Sequence, residues 1–415
     1  MKVLASAALL LLLVAAVATA EKVSYDGYKV LRLSRGAENV EMSWARAAIG
    51  ALDLDIWSDS HHGIDVLVGP EHLQEFRTQL RAQGVPATVY IDDVQGLMDE
   101  EMKKIRERPQ SKTGEIDHTT YRDFEQLQRE IDDLERNYPD LVSSNVVGTT
   151  VEGRDLRVVT VSSNGGNTLP TVWIDCGMHA REWVSQATCM YILDTLTSQY
   201  GSDEGITSLL DSYDFQILPV ANPDGYSYSW TDDRLWRKNR VQSGICYGVD
   251  PNRNFDNHFG GPGTSTNPCS QIFCGPAAFS EAESKAVRDP TTALGDRLAG
   301  FFTIHSYSQY WMTPYGFEYV YPVDFDEMMR VSEIGVDALT AMYGTKFVYG
   351  SIADVIYLAS GGSTDWAYDS TGVTYPFAIE LRDQGRYGFV LPEDQILPTA
   401  QEAFAGIVAA VNAFQ

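Results

Sequence analysis

Apolar positions recur along this chain in two rhythms, and the change between them divides it. From residue 21 to about 108, short β-rich runs at 28–33, 64–68 and 87–91 alternate with helix-period stretches around 42–52 and 71–82. This β-α-β-α-β rhythm, with an extra strand near 54–57, predicts a small α+β domain of the split-βαβ kind. From about His118 the elements lengthen. A helix over 121–137 precedes strands at 141–147, 156–162 and 171–175, and a helix over 182–200 leads to a strand at 213–220. Strands at 301–305 and 376–381 and a last helix near 398–414 follow. Strands alternating with long helices predict a three-layer α/β/α domain of roughly 300 residues, its site in the Gly-, Asn- and Tyr-rich loops.

Between the two blocks lies EEMKKIRERPQSK, residues 100–112, with Lys103, Lys104, Arg106, Arg108 and Lys112. Helical at first and then polar, it reads as a protease-sensitive connector, or as an ordinary charged linker. At the other end, Lys2 is followed by an apolar run over 3–17 and then Ala18-Thr19-Ala20. A charged start, a short apolar core and a small-residue exit make a secretory signal peptide, cleaved after Ala20, with no membrane association afterwards. The expected organisation is a leader at 1–20, a prosegment and connector at 21–112, and a main domain at 113–415. A formal charge of −26 argues against nucleic acid as a partner, because phosphate binding needs a basic surface. Five cysteines, all between Cys176 and Cys274, sit in a chain bound for an oxidising compartment, so bridges are permitted and at least one thiol is left over within the chain. No N-x-S/T acceptor is present.

The chemistry concentrates at strand ends. HAREW follows the apolar run TVWIDCG, placing His179 and Glu182 three residues apart, on one face of a helix start. A second run, FFTIHSYS, carries His305. Two imidazoles and a carboxylate, with a fourth position open to water, make a catalytic zinc set, since zinc accepts nitrogen and oxygen together and activates water without redox chemistry. An H-x-x-E pair is a weak signal alone, however, and a strand-end histidine is more often a hydrogen-bonded structural residue. In FAIELRD, strand alternation puts Ala378 and Glu380 on one side. A glutamate among apolar neighbours has a raised pKa and suits a general base, although it could instead pair with Arg382. A cationic cluster, RLWRK at 234–238 and Asn252-Arg253-Asn254, offers fixed guanidinium forks of the kind that grip a terminal carboxylate.

HAREW, NPDGY, RLWRKNR, GVDPNRNF, HSYSQ, IYLASGGSTDW and ELRDQGRYGF occur in this order along the chain. With them the chain closely resembles the pancreatic-type A/B zinc metallocarboxypeptidases, from the prosegment to the last helix. The resemblance implies a mixed central sheet in the catalytic domain and a ferredoxin-like activation domain that covers its cleft. It makes His179, Glu182 and His305 the ligands of one Zn2+ and Glu380 the general base. Arg237 would stabilise the oxyanion, and Asn252, Arg253 and Tyr357 would hold the terminal carboxylate of a peptide or protein substrate. Arg181, Ser306, Tyr307 and Phe279 would line the approach upstream of the scissile bond. The resemblance also implies bridges Cys176–Cys189 and Cys246–Cys269, with Cys274 left free. It further implies a trypsin-like activating protease.

In this family the pocket for the last side chain sets specificity. Its residues map to Thr364, Gly316, Met312, Ile352, Ile356, Ala359 and Ala378, and basic-specific members carry aspartate at the position of Thr364. An uncharged pocket favours aromatic or large aliphatic termini, because a buried Lys or Arg would go uncompensated. That is an A-type, digestive activity. The alternatives are a B-type enzyme, if Asp365 or Asp354 reaches the pocket, and a secreted binding protein that has lost catalysis. Because Arg108 precedes Pro109, a bond that trypsin-like enzymes cut poorly, cleavage is expected after Lys112 or Arg106. N-terminal sequencing of the trypsin-activated form should show a start near Thr113; a full-length chain that is equally active would remove the zymogen reading.

Overall fold

The computed structural model describes residues 22–34, 39–60, 63–108, 116–165 and 168–415, with the side chains of 39–41 not described. The leader, Lys112 and the 112/113 boundary therefore lie outside the described residues.

The first domain runs β1 (Lys29–Leu33), α1 (Asn39–Ala51), β2 (Asp55–Ser60), β3 (Gly63–Val68), α2 (Pro70–Ala82) and β4 (Ala87–Ile91). Its strands lie in the order β2-β3-β1-β4, every neighbour antiparallel, which is the ferredoxin-like arrangement of the split-βαβ motif. Leu31, Leu33, Ile64, Val66 and Val68 meet Met42, Ile49, Phe76 and Leu80 from the two helices in one small core. The basic connector differs from expectation. α3 (Val94–Glu107) begins six residues before Glu100, capped by Asp93, so Lys103, Lys104 and Arg106 are helical. Its apolar Val94 and Met98 are buried against Leu235, Tyr307 and Phe389 of the second domain, and that packing extends the helix through the charged sequence.

The second domain contains α4 (Phe124–Asn137), β5 (Val142–Thr149), β6 (Asp155–Val161), β7 (Thr171–Cys176), α5 (Trp183–Gln199), α6 (Glu204–Ser212), β8 (Asp214–Leu218), α7 (Pro223–Thr231) and a hairpin of β9 (Gln242–Ser243) with β10 (Cys246–Tyr247). Then come α8 (Ala282–Leu294), β11 (Leu298–Ser306), β12 (Tyr310–Thr313), α9 (Phe325–Tyr343), β13 (Val348–Ser351), α10 (Ile352–Val355), α11 (Ser363–Thr371), β14 (Pro376–Leu381) and α12 (Ile396–Asn412). α4 starts at Phe124 rather than at 121, because Asp123 and Gln126 close a reciprocal capping box there.

Eight strands form a mixed sheet, ordered β13-β12-β14-β11-β7-β8-β6-β5 among the described residues. β7, β8, β11 and β14 are parallel neighbours at its centre; β6 and β5 continue antiparallel on one side, and on the other β12 is antiparallel to β14 and parallel to the edge strand β13. Alternation sends Val172, Ile174, Phe302 and Ile304 into the core beneath α4, α5, α9 and α12, and Trp173 and Phe301 toward α8 and α11. The result is three layers. The bridges Cys176–Cys189 and Cys246–Cys269 are both formed, and Cys274 is free and buried. No helix among the described residues is long and apolar enough to cross a membrane.

The small domain sits across the loops of the large one through buried polar contacts. Glu101 of α3 takes Arg234 Nε at 2.6 Å and Nη2 at 3.0 Å, both side chains nearly sealed from water. Asp55 of β2 takes Arg181 Nη1 at 2.5 Å, and Asp65 of β3 accepts Tyr307 Oη–H at 3.0 Å. Removing one partner of such a buried pair costs about 3–5 kcal/mol, mostly because the other charge is stranded. After trypsin treatment, an Asp55→Ala/Glu101→Ala double variant should release its prosegment on gel filtration under conditions that keep the wild-type pieces together. Equal retention would mean that these pairs do not hold the domains.

Candidate active site

Three central strands end together, and each contributes a side chain. β7 turns at Gly177, whose φ of +70° suits glycine, and an added Cβ there would lie 2.3 Å from Gln186 Nε2. The chain then delivers His179, and Glu182 at the entry to α5. His305 lies near the end of β11, and the parallel register places Glu380 of β14 beside it.

Glu182 lies between the two imidazoles, Oε1 2.8 Å from His179 Nδ1 and Oε2 3.0 Å from His305 Nδ1. Burial opposes its charge, but His179 and His305 outweigh burial and hold the carboxyl well below its usual range. Behind His179, Asp250 Oδ1 lies 3.1 Å from Nε2. A proton on Nε2 directed at Asp250 leaves the Nδ1 lone pair facing the carboxylate, which is the tautomer a metal requires. Burial, and then the Arg237 charge, lower the His179 pKa against the pull of Glu182 and Asp250. One ligand atom from each of the three buried residues falls within 4.8 Å of the others. Two neutral-capable nitrogens and an ionised oxygen, converging at the edge of a cleft, fit zinc.

Asp250 was not singled out in the sequence, although GVDPNRNF contained it. Its Oδ2 receives Arg237 Nε at 3.1 Å and Nη2 at 2.8 Å, and its Oδ1 the backbone N–H of Asn252 at 2.9 Å. One carboxylate thereby orients a metal-facing imidazole, the guanidinium opposite it and the loop carrying Asn252 and Arg253. Arg253 donates through Nε to Gly263 O at 2.9 Å and through Nη2 to Tyr357 Oη at 3.0 Å. Glu380 Oε2 is buried without a hydrogen-bond partner. Burial, reinforced by the Glu182 charge, pushes its carboxyl up to about 8, against the pull of His305 and Arg237.

These groups share a cleft of about 990 Å³ with the prosegment residues Asp55–Asp59. Its lining includes His179, Glu182, Arg237, Asn252, Arg253, His305, Ser306, Tyr307, Tyr357 and Glu380, and further in Met312, Ile352, Ile356, Ala359, Thr364 and Ala378. Gly316 is not itself in the cleft lining but packs behind Ile352 and Ala359, where an added Cβ would lie 2.8 Å from Ile352 Cγ2. Asp365 also borders the cleft, and its carboxylate is engaged there, accepting the backbone N–H of Gly316 at 2.8 Å and of Phe317 at 3.2 Å. Exposed Asp354 accepts Ser351 Oγ–H at 2.8 Å and Tyr321 Oη–H at 3.0 Å, outside the cleft lining.

Two expected residues lie differently. Arg181 is 1% exposed, beneath the prosegment, its guanidinium on Asp55 and over the Phe389 ring at 4.1 Å. Phe279 is a correction. It does not line the cleft but packs edge-on to Phe255 and Trp366 in the apolar layer under α8 and α11. The aromatic ring beside Arg181 and Tyr307 is Phe389, from the GRYGF stretch.

The fold and site define a zinc-dependent hydrolase of the mixed-sheet α/β class with a docked prosegment. A family model for zinc carboxypeptidases matches residues 127–406, and one for the carboxypeptidase activation peptide matches residues 48–101. The chain is 43% identical to mouse (Mus musculus) carboxypeptidase A2, with 86% of each chain covered. It is 40% identical to bovine (Bos taurus) carboxypeptidase A1, with 96% of this chain and 97% of that one covered. The crystal structure of carboxypeptidase A from Helicoverpa armigera superposes with a TM-score of 0.87 at 28% identity, covering 94% of this chain and 98% of that one. The chain belongs to the zinc carboxypeptidase family and carries its activation peptide.

Proposed function

We propose that this chain is a secreted zymogen whose catalytic domain, residues 113–415, removes single C-terminal residues from peptides and proteins, with preference for aromatic and large aliphatic side chains. A trypsin-like protease acting at the connector would release that activity. Secretion is supported by the leader pattern at 1–20 and by two disulfides. Arg106 lies in the last turn of α3, so a cut near Lys112 is the better-supported activation point. The relatives are named as A-type carboxypeptidases, which agrees with the uncharged pocket and with a digestive role.

The observation that carries the reaction is the β11–β14 register, which sets Glu380 next to His305 with Ala378 one step deeper beside Thr303. His179, Glu182 and His305 would hold zinc, which when bound polarises the scissile carbonyl and acidifies water. Asn252, Arg253 and Tyr357 would grip the substrate's terminal carboxylate, which fixes the last side chain over Met312, Thr364 and Ala378. Arg237, pinned by Asp250, would face the oxygen on which negative charge develops as water adds to the carbonyl carbon. Glu380 would take a proton from the attacking water and deliver it to the departing amine nitrogen as the C–N bond breaks.

Glu380→Gln, nearly isosteric, should keep its zinc while kcat falls by about 10²–10⁴-fold. In the wild type, kcat/KM should fall as pH drops through the pKa of Glu380, because the base works only when ionised. Burial raises that pKa and a bound cation lowers it. Near-normal turnover in the variant would move proton transfer to another residue.

Thr364, uncharged and 2% exposed, stands at the start of α11, and the carboxylate of the adjacent Asp365 is taken up by the Gly316 and Phe317 N–H groups. Terminal Phe, Tyr, Trp, Leu and Met should be released well, and Lys or Arg poorly, in a mass-spectrometric assay of peptides with varied C-termini. Thr364→Asp should shift preference toward basic termini. A wild-type preference for Arg over Phe would contradict the pocket assignment while leaving the reaction class intact.

A further inference from the structure

His179 has the Asp250 carboxylate behind its distal nitrogen, whereas among the described residues no carboxylate contacts that nitrogen of His305. Behind His305 Nε2 lies Thr303 Oγ1 at 3.2 Å, two residues earlier on β11 and therefore on the same face. Thr303 in turn stands opposite Asp175 in the β11–β7 register and bonds its Oδ1 at 2.7 Å. The other oxygen, Asp175 Oδ2, accepts Trp173 Nε1–H at 2.8 Å. Trp173, Asp175 and Thr303 are completely buried.

We propose that Thr303 and Asp175 are positioning residues for His305, fixing through a hydroxyl relay the ring orientation and tautomer with which it meets zinc. A hydroxyl has one proton and two lone pairs. Asp175, as a carboxylate, can only accept, so the Thr303 proton is committed to it and the remaining lone pairs face Nε2. Nε2 therefore carries the imidazole proton, and Nδ1 presents a lone pair on the Glu182 side. Asn252 Nδ2, 3.3 Å from the same Nε2, is a donor and cannot replace Thr303 as acceptor. Trp173 fixes the far end of the relay, so the carboxylate cannot rotate away. Two different devices thus serve the two imidazoles: a direct carboxylate for His179 and a hydroxyl-linked one, reached across a neighbouring strand, for His305.

The inference rests on His305 being a zinc ligand, and the experiment separates the two claims. Zinc dissociation constants of the trypsin-activated protein are measured by competition with a chelator. Loss of an outer partner of a ligating histidine typically costs 10–100-fold in affinity or activity. Thr303→Val, which keeps the shape and removes the hydroxyl, should bind zinc about 10–100-fold more weakly, and so should Asp175→Asn. Thr303→Ser, which restores the hydroxyl, should return to within about threefold of wild type. Either folded variant decides, and wild type provides a third reading. Its zinc-loaded form should show a slowly exchanging His305 Nε2–H with cross-relaxation to the Thr303 side chain. Wild-type affinity in Thr303→Val or Asp175→Asn, a Thr303→Ser variant as impaired as the valine, or absence of that resonance would overturn the relay alone. Full zinc retention in His305→Ala would overturn the ligand assignment and the relay with it.

Discussion

The common ending of β7, β11 and β14 is the constraint on which the site depends. Parallel pairing sets Asp175, Thr303 and Ala378 in one row across the sheet, and Met312 joins it from the antiparallel β12. One step along, His305 and Glu380 stand side by side. Side chains alternate with a period of two, so a one-residue slip of β14 would bring Ile379 toward the cleft and turn Glu380 into the layer under α12. The apolar residues between the functional ones, Ile304 and Ile379, are fully buried on the opposite face and make that slip costly. Core packing is what holds the chemistry in register.

Electrostatics explains why so many charges tolerate burial there. Asp250 is held well below its usual range because Arg237, His179 and Arg253 outweigh the cost of burying it. Glu182 is held down by the two imidazoles, while Glu380, without a donor on Oε2, is pushed upward. Two carboxylates in one cleft with opposite shifts suit the proposed division between a metal ligand and a proton carrier. The prosegment uses the same principle from outside. Asp55 and Glu101 supply negative charge to Arg181 and Arg234, so the small domain is held by groups that face the cleft or its rim.

Much of this was legible in the chain. HAREW and the strand-end His305 suggested a metal set only weakly by themselves, and the ordered family motifs around them made it specific, while the alternation of FAIELRD showed which way Glu380 faces. The small domain was readable from its short strands and helices, even to the extra strand near 54–57. Elements set by tertiary packing were not. β12 and β13 are four residues each, too short for a period to show, and α3 is extended through charged sequence by its contact with Leu235 and Phe389. Asp250 acquires its role only when the loop after β10 folds back on His179, and Phe279 lies in an apolar layer that no local pattern distinguishes from a cleft wall.

The most direct test of the account is the anomalous scattering of the purified zymogen, measured in crystals on both sides of the zinc absorption edge. The account predicts one zinc peak per chain, within bonding distance of His179 Nδ1, the Glu182 carboxylate and His305 Nδ1, with Glu380 facing the open side. A peak bound through the Nε2 atoms, or centred on other residues, would contradict it.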